Sequence, residues 1–134
     1  MLPMPVLTPS PCDRPALASR SETDKPLIVV SLCAAWCHTC GEFREVFERV
    51  AAARGGVHFV WLDIEDDHAI CGDIDVEDFP TLVVLRGDVV VHYGVSLPQE
   101  GIVARLIDEL ASRTKPAGDI PDEVRVLPRA LRSA

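Results

Sequence analysis

Apolar residues in this chain fall into a few dense runs and two helical stripes, and these set its plan. Leu27, Ile28, Val29, Val30, Ser31, Leu32 and Cys33 form a β-branched run with nothing to interrupt extended pairing, which predicts a strand buried on both faces. It stops at Ala34-Ala35. Cys40, Phe43, Val46, Phe47 and Val50 then recur at three- and four-residue spacing, with Glu42, Arg44, Glu45, Glu48 and Arg49 on the other side, the pattern of an amphipathic helix. Gly55-Gly56 supplies a left-handed ending. Val57 to Asp63 reads as a second buried strand, parallel to the first because a helix separates them. A short helix is expected between Glu65 and Asp75. Thr81 to Arg86 and Val89 to Tyr93 flank a compact Gly87-Asp88 turn and predict an antiparallel hairpin. Pro98 opens a last helix whose buried stripe is Ile102, Val103, Leu106, Ile107 and Leu110.

The two ends lack this regularity. Residues 1–26 hold six of the 11 prolines and are expected to form an extended arm. From Thr114 onward the apolar pattern fades and Pro116, Pro121 and Pro128 mark a tail, so the domain is placed at 27–113 and the tail at 114–134. No internal repeat is visible. The sum is an α/β fold, a parallel strand pair extended by a hairpin to make a central mixed sheet, with helices on both faces.

Composition narrows the classes of function. With 134 residues, 48% hydrophobic and 25% charged, the chain suits one soluble globular domain with tails. No uncharged apolar run approaches the ~20 residues that cross a bilayer, so no membrane association is expected. A formal charge of -8, with Lys25 and Lys115 the only lysines, argues against nucleic acid and anionic membrane surfaces as partners. Five cysteines in no framework spacing do not suggest a disulfide-stapled secreted domain. Pro3, Pro5, Pro9, Pro11 and Pro15 interrupt any apolar leader core, so a cytoplasmic monomer is expected, or a periplasmic one had a leader been removed.

The chemistry is expected at Trp36-Cys37-His38-Thr39-Cys40, where the first strand hands over to the helix. A thiol in a first helical turn faces unpaired backbone N–H groups and the positive end of the helix dipole, both of which favour thiolate. Cys37 is therefore the expected nucleophile. Two intervening residues bring Cys40 within disulfide reach on the inner side of the turn, so Cys40 is expected to be shielded and to resolve a mixed disulfide formed at Cys37.

From Leu27 to Leu110 the sequence resembles the thioredoxin superfamily. Four features in order carry the likeness: Trp36-Cys37-x-x-Cys40 after a strand, Phe79-Pro80-Thr81 before a hairpin, Gly94 after it, and a last amphipathic helix. The resemblance implies a thioredoxin-like fold and a thiol-disulfide oxidoreductase. It further implies an N-terminal strand and helix, for which Leu2 to Leu7 and about Arg14 to Arg20 are the available segments. Its prolines would leave that strand at a sheet edge. Pro80, taken alone, is an ordinary trans turn proline. The resemblance instead implies a cis proline packed against the active-site disulfide, with Phe79, Thr81, Gly94, Trp36, His38 and Thr39 shaping the substrate groove. Protein disulfides would be the substrates and a thiol or reductase the electron donor. The sulfurs do the chemistry, so no organic cofactor and no metal is required.

The likeness has departures. His38-Thr39 replaces the Gly-Pro of the small reducing thioredoxins; stabilisation of the reduced form by a protonated His38 would make the couple less reducing, against the opposing effect of the helix N-terminus on that charge. Ser31 and Trp61 stand where the family places a buried Asp and its Lys partner. Their joint absence leaves no buried charge unpaired but removes general acid/base help at Cys40, which keeps open a second class of function, a non-enzymatic adaptor or chaperone module with an idle dithiol.

Other cysteines and acids have plainer readings. Cys33, Cys37 and Cys40 have the C-x3-C-x2-C spacing of an iron-sulfur motif in radical enzymes, but the chain is too short for the barrel those enzymes need. Cys33 is expected to be a small buried strand residue, about 13 Å in Cα from Cys37 if the intervening chain is extended. Cys71 is expected to be packed in the short helix and Cys12 exposed in the arm. Eight of the 16 residues from Asp63 to Asp78 are acidic. An EF-hand loop would need glycine where His68 stands, so a solvated acidic face, open to a basic partner, is the better reading.

Overall fold

The computed structural model describes residues 6–7, 27–34, 36–54, 57–72, 74, 76, 80–86, 89–111, 117–118 and 120–132. Its strands are β1 (Val6–Leu7), β2 (Leu27–Cys33), β3 (His58–Asp63), β4 (Thr81–Arg86) and β5 (Val89–Val95), and its helices are α1 (His38–Ala52), α2 (His68–Cys71), α3 (Glu100–Leu110), α4 (Asp122–Arg125) and α5 (Leu127–Arg132). The strands form one mixed sheet in the order β1-β3-β2-β4-β5. β2 lies at its centre, parallel to β3 and antiparallel to β4, and every residue of β2 is buried. β1 pairs in parallel with β3 through Val6 and Leu7, at the edge where a proline-rich segment is tolerated. The expected segment 14–20 and the Gly55-Gly56 and Gly87-Asp88 turns lie outside the described residues.

Alternation along β2 divides the core into two layers. Leu27 and Val29 face a layer built with Phe43, Phe47, Val50, Phe59, Val103, Ile107 and Leu110, which belongs to α1 and α3. Phe47 packs edge-on against Phe59 with ring centroids 5.4 Å apart, and Phe43 lies 5.6 Å from Phe47. Burial of each such ring is worth about 1.5–3 kcal/mol, so this layer fixes α1 firmly on the sheet. At the solvent side α3 is tied by ion pairs to α1, through Arg49 and Glu100 at 2.6 Å, and to the chain just beyond α1, through Arg54 and both carboxylate oxygens of Asp108 at 3.0 Å. The Arg54 guanidinium holds the Asp108 carboxyl below its ordinary range.

The opposite layer corrects the sequence expectation at two places. Ile28, Val30, Leu32, Val60, Leu62, Val83 and Leu85 meet Val124, Leu127 and Leu131, which are fully buried. Part of the expected tail at 114–134 therefore completes the core as α4 and α5. Pro121 is the N-cap residue of α4 and Pro128 lies in the first turn of α5, positions where a missing backbone N–H costs nothing. The helix expected to be last, α3, is followed by these two, and its Ile102 is exposed rather than part of the buried stripe. α2 is shorter than the 65–75 stretch, and Gly72 ends it at φ 57, in the left-handed region.

No helix is long and apolar enough to cross a membrane among the described residues.

Candidate active site

The site lies at the carboxyl end of β2. Its alternation places Leu27, Val29, Ser31 and Cys33 toward the α1 layer. The Cys37 N–H then donates to the Ala34 carbonyl at 3.0 Å, closing a tight turn that reverses the chain onto the sheet. Cys37 is the N-cap residue of α1, extended at φ -85 and ψ 119, and its carbonyl accepts the Gly41 N–H at 3.2 Å. No side chain caps this end, so the first-turn N–H groups remain open near the Cys37 side chain.

That turn carries Cys40 back over the strand. Cys40 is 2% exposed and is disulfide-bonded to Cys33, 1% exposed, with Cα atoms 5.8 Å apart. Cys37 is half-buried and free. The sequence pattern points to Cys37 and Cys40 as the bonded pair and to Cys33 as a small buried strand residue. Cys33 is indeed buried, but the oxidised pair in this structure is Cys33 and Cys40. An extended connection carries Cys33 away from the site, whereas the turn at 34–37 together with one turn of helix brings Cys40 directly above it. The Ser31 hydroxyl lies 3.7 Å from Cys33 Sγ and, since a bonded sulfur carries no proton, donates to it.

The rim is built from Trp36 and acids. Trp36 is 68% exposed, and its indole N–H donates to Glu65 at 2.5 Å. Glu65 is presented by the turn after β3, in which the Asp63 carboxylate accepts the N–H groups of Glu65 and Asp66 at 2.8 and 2.9 Å, and Asp67 accepts that of Asp63 at 2.7 Å. Here the acidic run organises a turn. Among the described residues no group of three or more metal-ligating side chains comes together. Trp36, Cys37, His38, Gly41, Glu42 and Glu45 line an open depression, with His38 Nε2 3.2 Å from Glu42 across one helical turn.

The other expected site residues are distributed as follows. Thr39 lies in the first turn of α1. Pro80 is buried and its carbonyl accepts the Ser96 N–H at 3.0 Å; Thr81 opens β4, buried and opposite Val95, and Gly94 pairs with Leu82. Phe79 lies outside the described residues. Trp61 faces Ser31 across the β2–β3 ladder, packed against Phe43 and Phe47 and covered by the Arg44 guanidinium 4.9 Å from its ring. An aromatic and a hydroxyl thus fill the space that the resemblance assigns to a buried ion pair. Two features of the site are not announced by the sequence, the contact of Glu65 with Trp36 and the bond of Cys33 to Cys40. The in-facing register of Cys33, shared with Val29 and Ser31, was the available signal for the second.

The thioredoxin family model matches residues 17–108. The chain belongs to the thioredoxin family. A thioredoxin H-type from Brassica campestris is 29% identical over 91 residues, covering 68% of this chain and 73% of the relative. Protein disulfide-isomerase A4 from Bos taurus is 29% identical over 87 residues, covering 62% of this chain and 14% of that much longer protein. In fold, the thioredoxin NaTrxh from Nicotiana alata superposes with a TM-score of 0.65 at 23% identity, covering 80% of this chain and 93% of that one. As a thioredoxin-family domain, the protein presents a half-buried thiol at a helix start, one turn from a buried disulfide sulfur, the parts that thiol-disulfide exchange requires.

Proposed function

We propose that the protein is a thiol-disulfide oxidoreductase acting on protein disulfides, with Cys37 as nucleophile and Cys40 as resolving cysteine. The observation that carries this reading is the contrast between the two sulfurs, Cys37 free and half-buried at the N-cap of α1 and Cys40 buried one turn later in a disulfide with Cys33. From the fully reduced site, the Cys37 thiolate attacks a substrate disulfide; a Cys37–substrate bond forms and one substrate thiolate leaves. The Cys40 thiolate then attacks Cys37 Sγ, the second substrate thiolate leaves, and two electrons have passed to the substrate. Trp36, held by Glu65, offers a flat apolar contact beside the nucleophile. A cis Pro80, with Phe79, Thr81 and Gly94, completes the groove in this reading. An intracellular thiol or reductase returns the electrons to a monomeric, cytoplasmic protein.

Insulin reduction with dithiothreitol tests the reading. Acceleration by the parent and its loss in Cys37→Ser are expected; a parent no faster than dithiothreitol alone would overturn it. The adaptor alternative draws on one observation, Ser31 and Trp61 in place of an acid/base pair behind Cys40, and would be supported by that inactive parent.

A further inference from the structure

We infer that Cys33 is a third redox-active cysteine, and that Cys33–Cys40 and Cys37–Cys40 disulfides are two forms of one oxidised site, interconverting by exchange at Cys40 Sγ. This rests on the oxidoreductase reading above and extends it to a residue that the two-cysteine mechanism does not use.

Three observations support it. First, Cys40 is bonded to Cys33 from the strand below, while Cys37, three residues before it, begins the same helix. An N-cap side chain reaches back over the first turn toward the N3 residue, here Cys40, so Cys40 has a possible partner on each side. Second, the free sulfur is the accessible one: Cys37 is half-buried, whereas Cys33 and Cys40 are both closed off from solvent. Third, the Ser31 hydroxyl stands 3.7 Å from Cys33 Sγ, so a thiolate released there meets a hydrogen-bond donor in an otherwise apolar wall.

The exchange balances without an outside oxidant. The Cys37 thiolate attacks Cys40 Sγ, the Cys37–Cys40 bond forms, the Cys33–Cys40 bond breaks, and Cys33 leaves as a thiolate beside the Ser31 hydroxyl, ending protonated by one proton that balances the one Cys37 lost. No net oxidation occurs. In reverse, Cys33 loses a proton, attacks Cys40 Sγ and frees Cys37. The consequence is functional: the oxidised protein in its Cys33–Cys40 form still presents a nucleophile but has no resolving thiol. A mixed disulfide formed at Cys37 then resolves by attack of a substrate thiol: the thiol just released restores the original disulfide, and a different cysteine of the substrate forms a new one and releases the Cys37 thiolate, so the substrate disulfide is rearranged rather than reduced.

The test is differential alkylation of the full chain after equilibration with oxidised glutathione. After acid quenching, N-ethylmaleimide is applied in denaturant so that every free thiol is labelled, buried or not, followed by reduction, iodoacetamide and fragment mass spectrometry. The expected result is maleimide on Cys37 and iodoacetamide on Cys33 and Cys40. Oxidised Cys33→Ala is expected to lose the Cys37 label as the bond moves to Cys37–Cys40, and Cys37→Ser to keep a Cys33–Cys40 bond. A parent with Cys37 bonded to Cys40 and Cys33 recovered as a thiol would overturn the role of Cys33 while leaving the two-cysteine oxidoreductase intact. Cys33→Ala with Cys37 still labelled and Cys40 a free thiol, or Cys37→Ser with no disulfide, would also overturn it. No disulfide among the three in the parent would remove both readings.

Discussion

At the scale of single residues, the protein separates cysteines that resemble each other in composition by where the fold puts them. Cys37 meets solvent and the open end of α1, while Cys71 sits in α2 with its thiol 4.0 Å from the Asp63 carbonyl. Burial, with the charges of Asp67 and Asp63 adding to it, pushes the Cys71 thiol up to about 12 from an ordinary 9.0. Iodoacetamide at pH 8 is therefore expected to modify Cys37 and spare Cys71 in the native protein, read by peptide mass; equal modification would refute the assignment. The linkage has a definite sign, because the folded-state value is raised. The contribution of Cys71 to stability is intact below 9.0 and is lost as pH rises toward about 12, since the unfolded thiol ionises first. The sequence made Cys37, Cys40 and the packed Cys71 legible because each depends on local placement in a helix. The partner of Cys40 was not legible. It depends on the Cys37-to-Ala34 hydrogen bond, a turn with no hydrophobic period to announce it.

Among the elements, β2, α1, β3 and the β4–β5 hairpin follow directly from their apolar patterns, since each buries a long regular face. The C-terminal helices are the instructive failure. Val124, Leu127 and Leu131 keep three- and four-residue spacing, but they span only about two turns and are surrounded by prolines, so the stripe is too short to stand out. Those prolines sit at helix starts, where they shape the chain without breaking it. If α4 and α5 close the second core layer, Leu127→Ala should cost about 2–5 kcal/mol, in line with other buried leucine truncations. Urea unfolding of the full chain measures this directly, and a cost below about 0.5 kcal/mol, typical of surface changes, would show that these helices are not part of the core.

For the molecule as a whole, a sheet with β2 at its centre and helices on both faces makes one rigid platform, and its chemistry gathers at one end of the central strand. The net charge of -8 reaches that end through Glu42, Glu45 and Glu65, so the surface around Cys37 is acidic. Family and fold point to thiol-disulfide chemistry, and Cys40 is the sulfur common to every disulfide proposed for the site. A glutathione redox titration of the parent and of Cys40→Ala, followed by mass after alkylation, tests that assignment most directly. The parent is expected to show a reversible two-electron transition that disappears in Cys40→Ala. The same transition in both proteins, or none in the parent, would contradict it.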